Sequence, residues 1–453
     1  MDGRATRIEL FSLRTIPMRV FHLAWMAFFV CFFAWFAVAP LMPAIRNELG
    51  LSKDQLANIN IAAVGVTILV RLIVGPLCDR YGARLTYTWL LVLGAVPVIG
   101  ISFAHSYGAF LFFRLCIGAI GASFVITQLH TTTMFAPNVV GTANATAAGW
   151  GNAGGGATQA LMPLILGALV SLGIEQRFGW RLAMLVPALL MLAMAFLYYR
   201  YAKDTPRGNI GDPAVQMLAT DAKRSSGWQS FLVAARDYRV WLLFVTYGAS
   251  FGIELTIHNL AAVHFVDEFA VSMGTAGLYV GCFGLLALFA RALGGLISDR
   301  IARVHGLDGR TLLLFLLILG EGIGLMAFAR MHTAEAAFAA MLGFGLFTHM
   351  ACGATYSLTP FVNRKAMGGV AGIIGAGGNV GAVAAGFLMK GAATTAQGLF
   401  TLGTVVTACA VCAVAVRFSR EHKAAERQLF QEAVMARDSH QRAGLGAGVM
   451  TDG

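Results

Sequence analysis

The decapeptide RLIVGPLCDR at residues 71–80 has a near copy, RALGGLISDR, at residues 291–300. In both, an arginine stands eight positions before the aspartate of an Asp-Arg pair, with an apolar run between. If Asp79 and Asp299 mark a membrane surface, a helical rise of ~1.5 Å per residue carries Arg71 and Arg291 roughly 12 Å inward, near mid-bilayer. An arginine at the centre of a spanning helix costs at least ~2.5 kcal/mol and is expected to face a cavity or a partner. One such residue reads as a structural ion pair. Two in equivalent positions read as a paired site.

The surrounding composition agrees with a membrane setting. The 453-residue chain is 58% hydrophobic and only 12% charged, about half the charged share of a soluble domain. Its apolar residues fall in blocks of about twenty, the length that crosses a ~30 Å hydrocarbon core as a helix. Twelve spans are predicted: 20–42, 58–78, 85–104, 108–130, 140–172, 181–201, 240–263, 275–298, 311–330, 334–357, 367–390 and 396–417. The expected fold is an all-α polytopic membrane protein with twelve transmembrane helices in two six-helix pseudo-symmetric bundles. Its expected parts are a bundle at 1–201, a polar cytoplasmic linker at 202–238, a second bundle at 239–420 and a cytoplasmic tail at 421–453.

A formal net charge of +11 could suggest a nucleic-acid partner, but its placement argues otherwise. Arg and Lys cluster in the N-terminal arm, beside Asp79, in the central loop (Lys203, Arg207, Lys223, Arg224), beside Asp299 and in the tail. Every second connection is basic, which is the positive-inside pattern. It puts both termini in the cytoplasm and excludes a nucleic-acid role. The first apolar stretch has no small-residue cleavage site and reads as a span, not a removed signal. Seven cysteines are scattered, and Cys409 and Cys412 form a lone C-x-x-C within the last span. No metal, no cofactor and no catalytic constellation is expected, so the chain does not read as an enzyme.

A second echo supports the duplication: GWGNAGGG at 149–156 and GAGGNVGA at 375–382. Small residues let membrane helices approach closely, and each run embeds an amide, Asn152 or Asn379. Asn152 reads as a site contact and Asn379 more as a structural element. In the seventh span Tyr247, Phe251, Glu254 and His258 share one helical face, joining two aromatics to two titratable groups. His258 reads as interfacial, near the outer end. In the fourth span Phe124 and Gln128 share a face, and Arg114 precedes the small-residue run CIGAIGA. His130, Glu321 and His349 are further polar groups in apolar segments. Two guanidinium groups at one depth suit an oxyanion, because each is planar, permanently charged and able to donate two parallel hydrogen bonds.

At these residues the chain resembles a known family. GPLCDRYGAR, with its second copy GGLISDR, looks like the cytoplasmic-loop signature of the major facilitator superfamily, and RLCIGAIGA is similar to its fourth-span signature. The two glycine runs resemble the paired signatures of the nitrate/nitrite porter family. The resemblance covers about residues 15–420 and implies a nitrate transporter of the cytoplasmic (inner) membrane, active as a monomer in nitrate assimilation. By position, Arg71 and Arg291 match the arginines that clamp the anion. Phe124 and Phe251 match the rings that sandwich it, and Tyr247 and Asn152 match hydrogen-bonding residues. Gly375 and Gly378 fall at an eleventh-span substrate contact. A serine found there in some members stands as Gly378, which removes a hydroxyl from that contact. Asp79, Arg80, Asp299, Arg300 and Asn379 take gating or structural roles.

Nitrate is flat, singly charged and weakly hydrated, so two in-plane guanidinium groups and aromatic faces suit it. Importing an anion into a negative interior costs ~2.3 kcal/mol per charge per 100 mV, so uptake needs a driving ion or a counter-anion. The stretch SFGIEL resembles the proton-coupled members. It makes Glu254 the expected proton carrier, tuned by Arg114, in a nitrate/proton symporter. A nitrate/nitrite antiporter is the alternative. Without an anion the two forks are expected to repel, and binding to permit closure by rocking of the halves.

Overall fold

A computed structural model describes residues 3–136, 139–210, 212, 227–363 and 366–424. Lys223, Arg224 and the tail beyond residue 424 lie outside the described residues, as do the side chains of Asp79 and Arg303. Among the described residues, twelve helices are long and apolar enough to cross a membrane: α1 Ile16–Leu49, α2 Lys53–Cys78, α3 Ala83–Phe103, α4 Tyr107–Met134, α5 Val140–Ser171, α6 Gln176–Tyr201, α7 Tyr238–Phe269, α8 Met273–Ala302, α9 Val304–Phe328, α10 Ala334–Val362, α11 Gly369–Gly391 and α12 Thr395–Ala415. Each overlaps one predicted span. Exposed Leu189, Phe196, Leu296 and Phe387 face outward, as a lipid-bathed wall requires.

Local sequence explains where the helices begin. Helix α1 opens with Pro17 behind a Thr15 cap, whose hydroxyl accepts from the Met18 amide at 3.4 Å. Proline there lacks only an N–H that would have no helical partner. Every even-numbered helix except α6 starts behind a Ser or Thr cap: Ser52, Ser106, Ser272, Thr333 and Thr394. Such a cap satisfies an amide that lipid could not. All these starts lie on one face, opposite the basic connections.

Two turns on the basic face need glycine. Gly82, between α2 and α3, has φ +88°, and a Cβ there would stand 2.3 Å from Asp204 Oδ1. That carboxylate instead accepts the Arg84 amide at 2.8 Å. Gly306, between the helical parts of α8 and α9, has φ +61°. Helix α1 extends past the predicted boundary at 42 because a short 3-10 turn, Ala39–Leu41, carries the chain into the polar helix Met42–Leu49.

The halves meet along two seams, α2 on α11 and α5 on α8. Exchanging the halves converts α2 into α8 and α11 into α5, so the seams are one contact repeated by pseudo-symmetry. Glycine makes them tight: a Cβ on Gly156 would lie 2.6 Å from the Leu285 amide nitrogen, and one on Gly386 2.5 Å from Ile61 Cγ1.

On the face opposite the basic connections, polar bonds tie the halves together. The Arg46 guanidinium grips Asp267 with two bonds, Nη2 to Oδ1 at 2.6 Å. Lys53 Nζ donates to the Ala392 carbonyl and, at 2.9 Å, to that of Ala393. Lys390 Nζ donates to Asn58 Oδ1 at 3.0 Å. This end is closed. The Asp267 side chain is 42% exposed, and exposed ion pairs contribute about 0.2–1 kcal/mol. Asp267→Asn is therefore expected to shift the open–closed balance by no more than about fivefold. Thiol labelling of a cysteine placed at Asn58 reads that shift; a much larger opening would make the pair the dominant latch.

Candidate functional site

The two intramembrane arginines are drawn into one aromatic cluster. Arg71, on α2, donates from Nη1 to the Gly375 carbonyl of α11 at 3.1 Å and from Nη2 to the Gly121 carbonyl of α4 at 3.2 Å. Its guanidinium carbon stands 5.5 Å from the Phe124 ring centroid. Arg291, on α8, stands 5.4 Å from the Phe251 centroid. Phe251 stacks on Tyr247 with centroids 5.3 Å apart and planes 13° apart, one turn along α7.

Tyr356 joins the two sides. It meets Tyr247 edge-on at 5.1 Å and Phe124 at 6.3 Å, so a continuous run of rings leads from Arg71 to Arg291. Tyr356 is an addition to the residues named from the sequence. Its signal was present: His349, Cys352 and Tyr356 recur at i, i+3 and i+7 of α10, one helical face. The Tyr356 hydroxyl and the Nε atoms of both arginines are buried without a hydrogen-bond partner. These donors are unused, which suits a site for an oxyanion.

The glycines of α11 shape the cluster. A Cβ on Gly375 would sit 3.2 Å from the Tyr356 hydroxyl, and one on Gly378 2.4 Å from Phe251 Cδ1 and 3.0 Å from Tyr247 Cε1. The missing serine at 378 is thus a steric requirement of the stacked pair. Gly378→Ser is expected to push Phe251 and Tyr247 out of register and weaken anion binding by about fivefold to a hundredfold, as ~1–3 kcal/mol of overpacking implies. Isothermal titration checks this; unchanged affinity would show that the rings yield freely.

Three expectations change. The forks were expected to carry unopposed charge and repel. Instead Arg291 Nη2 donates to Glu254 Oε2 at 2.5 Å, with the two side chains 8% and 1% exposed. Burying a guanidinium is costly unless it is paired or hydrogen-bonded, and Glu254 on the neighbouring helix supplies a counter-charge to Arg291. Arg114, expected to tune Glu254, is engaged elsewhere: Nη1 donates to the Trp35 carbonyl at 2.5 Å and Nη2 to Asn259 Oδ1 at 2.7 Å. It pins α1, α4 and α7 together.

The groups beside Glu254 are His349 and Cys352. His349 Nε2 lies 3.1 Å from the Phe283 carbonyl. A carbonyl only accepts, so Nε2 carries the hydrogen. Nδ1 then faces Glu254 Oε2 at 3.4 Å. Either two lone pairs oppose each other there or a proton stands between them. His258, expected at the outer interface, is buried among helices instead: its ring lies 4.9 Å from Phe36 and 5.7 Å from Phe283. Glycines 155 and 284 make that space.

The remaining residues have other partners, or buried polar atoms without one. Asn152 Nδ2 donates to the Ala148 carbonyl at 2.8 Å, leaving Oδ1 buried and unpartnered. Both amide atoms of Asn379 are likewise buried without a partner. Asp299 pairs with Arg310 at 2.7 Å, Arg80 rests on its neighbour Tyr81 at 5.1 Å, and Arg300 is exposed in the same helix as Asp299. These last lie on the basic face, away from the cluster. Gln128 donates to the Asn144 carbonyl at 3.2 Å, and His130 bonds Tyr198 at 2.6 Å. No group of three or more His, Cys, Asp or Glu able to hold a metal occurs among the described residues.

The Major Facilitator Superfamily model matches residues 24–307. High affinity nitrate transporter 2.5 of Arabidopsis thaliana is 35% identical over 412 residues, covering 90% of this chain and 82% of that protein. The nitrate/nitrite transporter NrtP of Nostoc punctiforme is 28% identical, covering 87% and 91%. Among solved structures, a bacterial homolog of the human lysosomal transporter Spinster superposes with TM-score 0.69 at 15% identity, covering 90% of this chain and 100% of that one. The D-xylose-proton symporter superposes with TM-score 0.67 at 15% identity, covering 90% and 99%.

Proposed function

The chain belongs to the Major Facilitator Superfamily and, within it, to the nitrate/nitrite porter family, and on that premise we propose that it imports nitrate in symport with protons by alternating access. Arg71 and Arg291 bind the anion, one from each half. Phe124, Phe251 and Tyr247 bound the slot, with Tyr356 added to them, and Gly375, Gly378 and Asn152 complete it. The protein sits in the cytoplasmic membrane with both termini inside and works as a monomer. Its halves divide at 1–201 and 239–420, with a linker at 202–238 and a tail from 421.

One observation carries the coupling: the Arg291–Glu254 ion pair at 2.5 Å inside the aromatic cluster. An arriving anion has the same charge as Glu254 and competes with it for one guanidinium. A proton on Glu254 removes the competitor and frees Arg291 for the anion. Proton and anion therefore load together, and one proton per nitrate leaves the cycle electroneutral. His349 Nδ1 faces the oxygen that must be protonated and is placed to pass or receive that proton. This assigns Glu254 the carrier role through its grip on Arg291.

The test is nitrate uptake by purified protein in liposomes, run with an imposed proton gradient or with internal nitrite. Acceleration by the gradient alone is expected. Strict dependence on internal nitrite would select the antiporter, in which nitrite leaving balances nitrate entering.

A further inference from the structure

Glu321, on α9, has no role in the anion slot, yet it is fully buried and neither carboxyl oxygen has a hydrogen-bond partner. The packing that buries it is built in. Gly320 and Gly322 flank it, and a Cβ on them would lie 2.9 Å from the Phe347 ring of α10 and 2.3 Å from Thr407 Oγ1 of α12. Helix α9 is thus clamped between two neighbours with the carboxyl turned inward. An ionised carboxylate so placed is strongly disfavoured unless a cation or donors meet it.

The hydroxyls around it already donate to carbonyls of their own helices. The hydroxyls of Thr348 and Ser250 are polar neighbours of this carboxyl. Both hydroxyl hydrogens are spent on their own helices: Thr348 donates to the Phe344 carbonyl at 2.9 Å and Ser250 to that of Thr246 at 3.3 Å. Both hydroxyls therefore present lone pairs, which a protonated carboxyl can donate to and a carboxylate cannot use. The titratable groups facing this region are Glu254 from α7, Cys352 from α10 and Cys409 from α12, with His349 next to Thr348. Arg291 is already held by Glu254.

We propose that Glu321 is a proton-binding site outside the anion slot, linked to Glu254 through the shared wall of Ser250, Thr348 and His349. With Glu254 ionised against Arg291, Glu321 holds the proton of the pair. Two buried acidic groups that feel each other's charge do not ionise together without cost, so the protonation of one depends on the other. Transfer between them breaks one O–H bond and forms another, with no further reactant. The use of that proton rests on the symport reading above; its presence on Glu321 does not.

The full chain, reconstituted in lipid, tests both parts. Infrared spectra in H₂O and D₂O should show a protonated carboxyl C=O band that shifts on deuteration, is lost in Glu321→Gln and is retained in Glu254→Gln. Gradient-driven nitrate uptake measured across pH should have its midpoint displaced in Glu321→Gln and returned toward wild type in Glu321→Asp, which can still carry the proton. Absence of the band in the wild type, its persistence in Glu321→Gln, or an unmoved midpoint overturns the proposal. If Glu321→Gln does not fold, Glu321→Asp decides: its band must shift rather than stay fixed or vanish. If the wild type ignores a proton gradient, the symport reading falls and the infrared band alone settles Glu321.

Discussion

Arg291→Lys and Arg71→Lys should each abolish saturable nitrate uptake while leaving a folded protein. A lysine keeps the charge but presents a compact ammonium without the planar fork. Arg291 now spans two partners, the Phe251 face at 5.4 Å and Glu254 at 2.5 Å. Arg71 spans three, bonding carbonyls of α4 and α11 while lying over Phe124. An ammonium cannot hold those directions and also offer paired donors to an anion. The loss of a charge-assisted hydrogen bond, ~1.5–3 kcal/mol, implies a fall in affinity of roughly tenfold to a hundredfold at either position. Arg71 should suffer the additional loss of a tie between the halves. Nitrate titration of each purified variant measures the first effect and liposome uptake the second. Wild-type uptake by either lysine variant would remove the paired-fork site.

The second large effect is expected at Glu254. Glu254→Gln keeps the shape of the side chain but deletes the charge that balances Arg291. Breaking a buried ion pair by removing one partner costs ~3–5 kcal/mol, because the other charge is left uncompensated. The variant should therefore melt lower than wild type without nitrate. Nitrate, free of its internal competitor, should bind more tightly and restore more thermal stability than it does in wild type, as ligand linkage requires. Uptake should no longer respond to an imposed pH gradient, while nitrate–nitrate exchange continues. A variant that still accumulates nitrate with wild-type dependence on pH and uncoupler would show that the proton travels by another group.

Much of this was legible in the chain. Blocks of about twenty apolar residues can satisfy their backbone in lipid only as helices, so span number and type follow from composition and length. The matched spacing of Arg71 to Asp79 and Arg291 to Asp299 places two charges at equal depth without knowledge of packing. The stripe of Tyr247, Phe251 and Glu254 likewise follows from helical periodicity alone. Gly378, read as a lost hydroxyl, turned out to be the floor on which Phe251 and Tyr247 stack.

What a single helix cannot encode is which of its faces meets which neighbour. Glu254 could be seen as an intramembrane carboxylate, but its partner lies on α8 and its second neighbour, His349, on α10. The partners of Arg114 and His258 likewise sit in helices distant along the chain, so local sequence does not show them. Tyr356 escaped notice because only the convergence of α4, α7 and α10 makes it the link between the two arginines. The sequence alone determined the depth of each charge, because rise per residue is a local property. Tertiary structure decided the pairing of those charges, because Coulomb energy and hydrogen bonding depend on distances between helices that local sequence does not set.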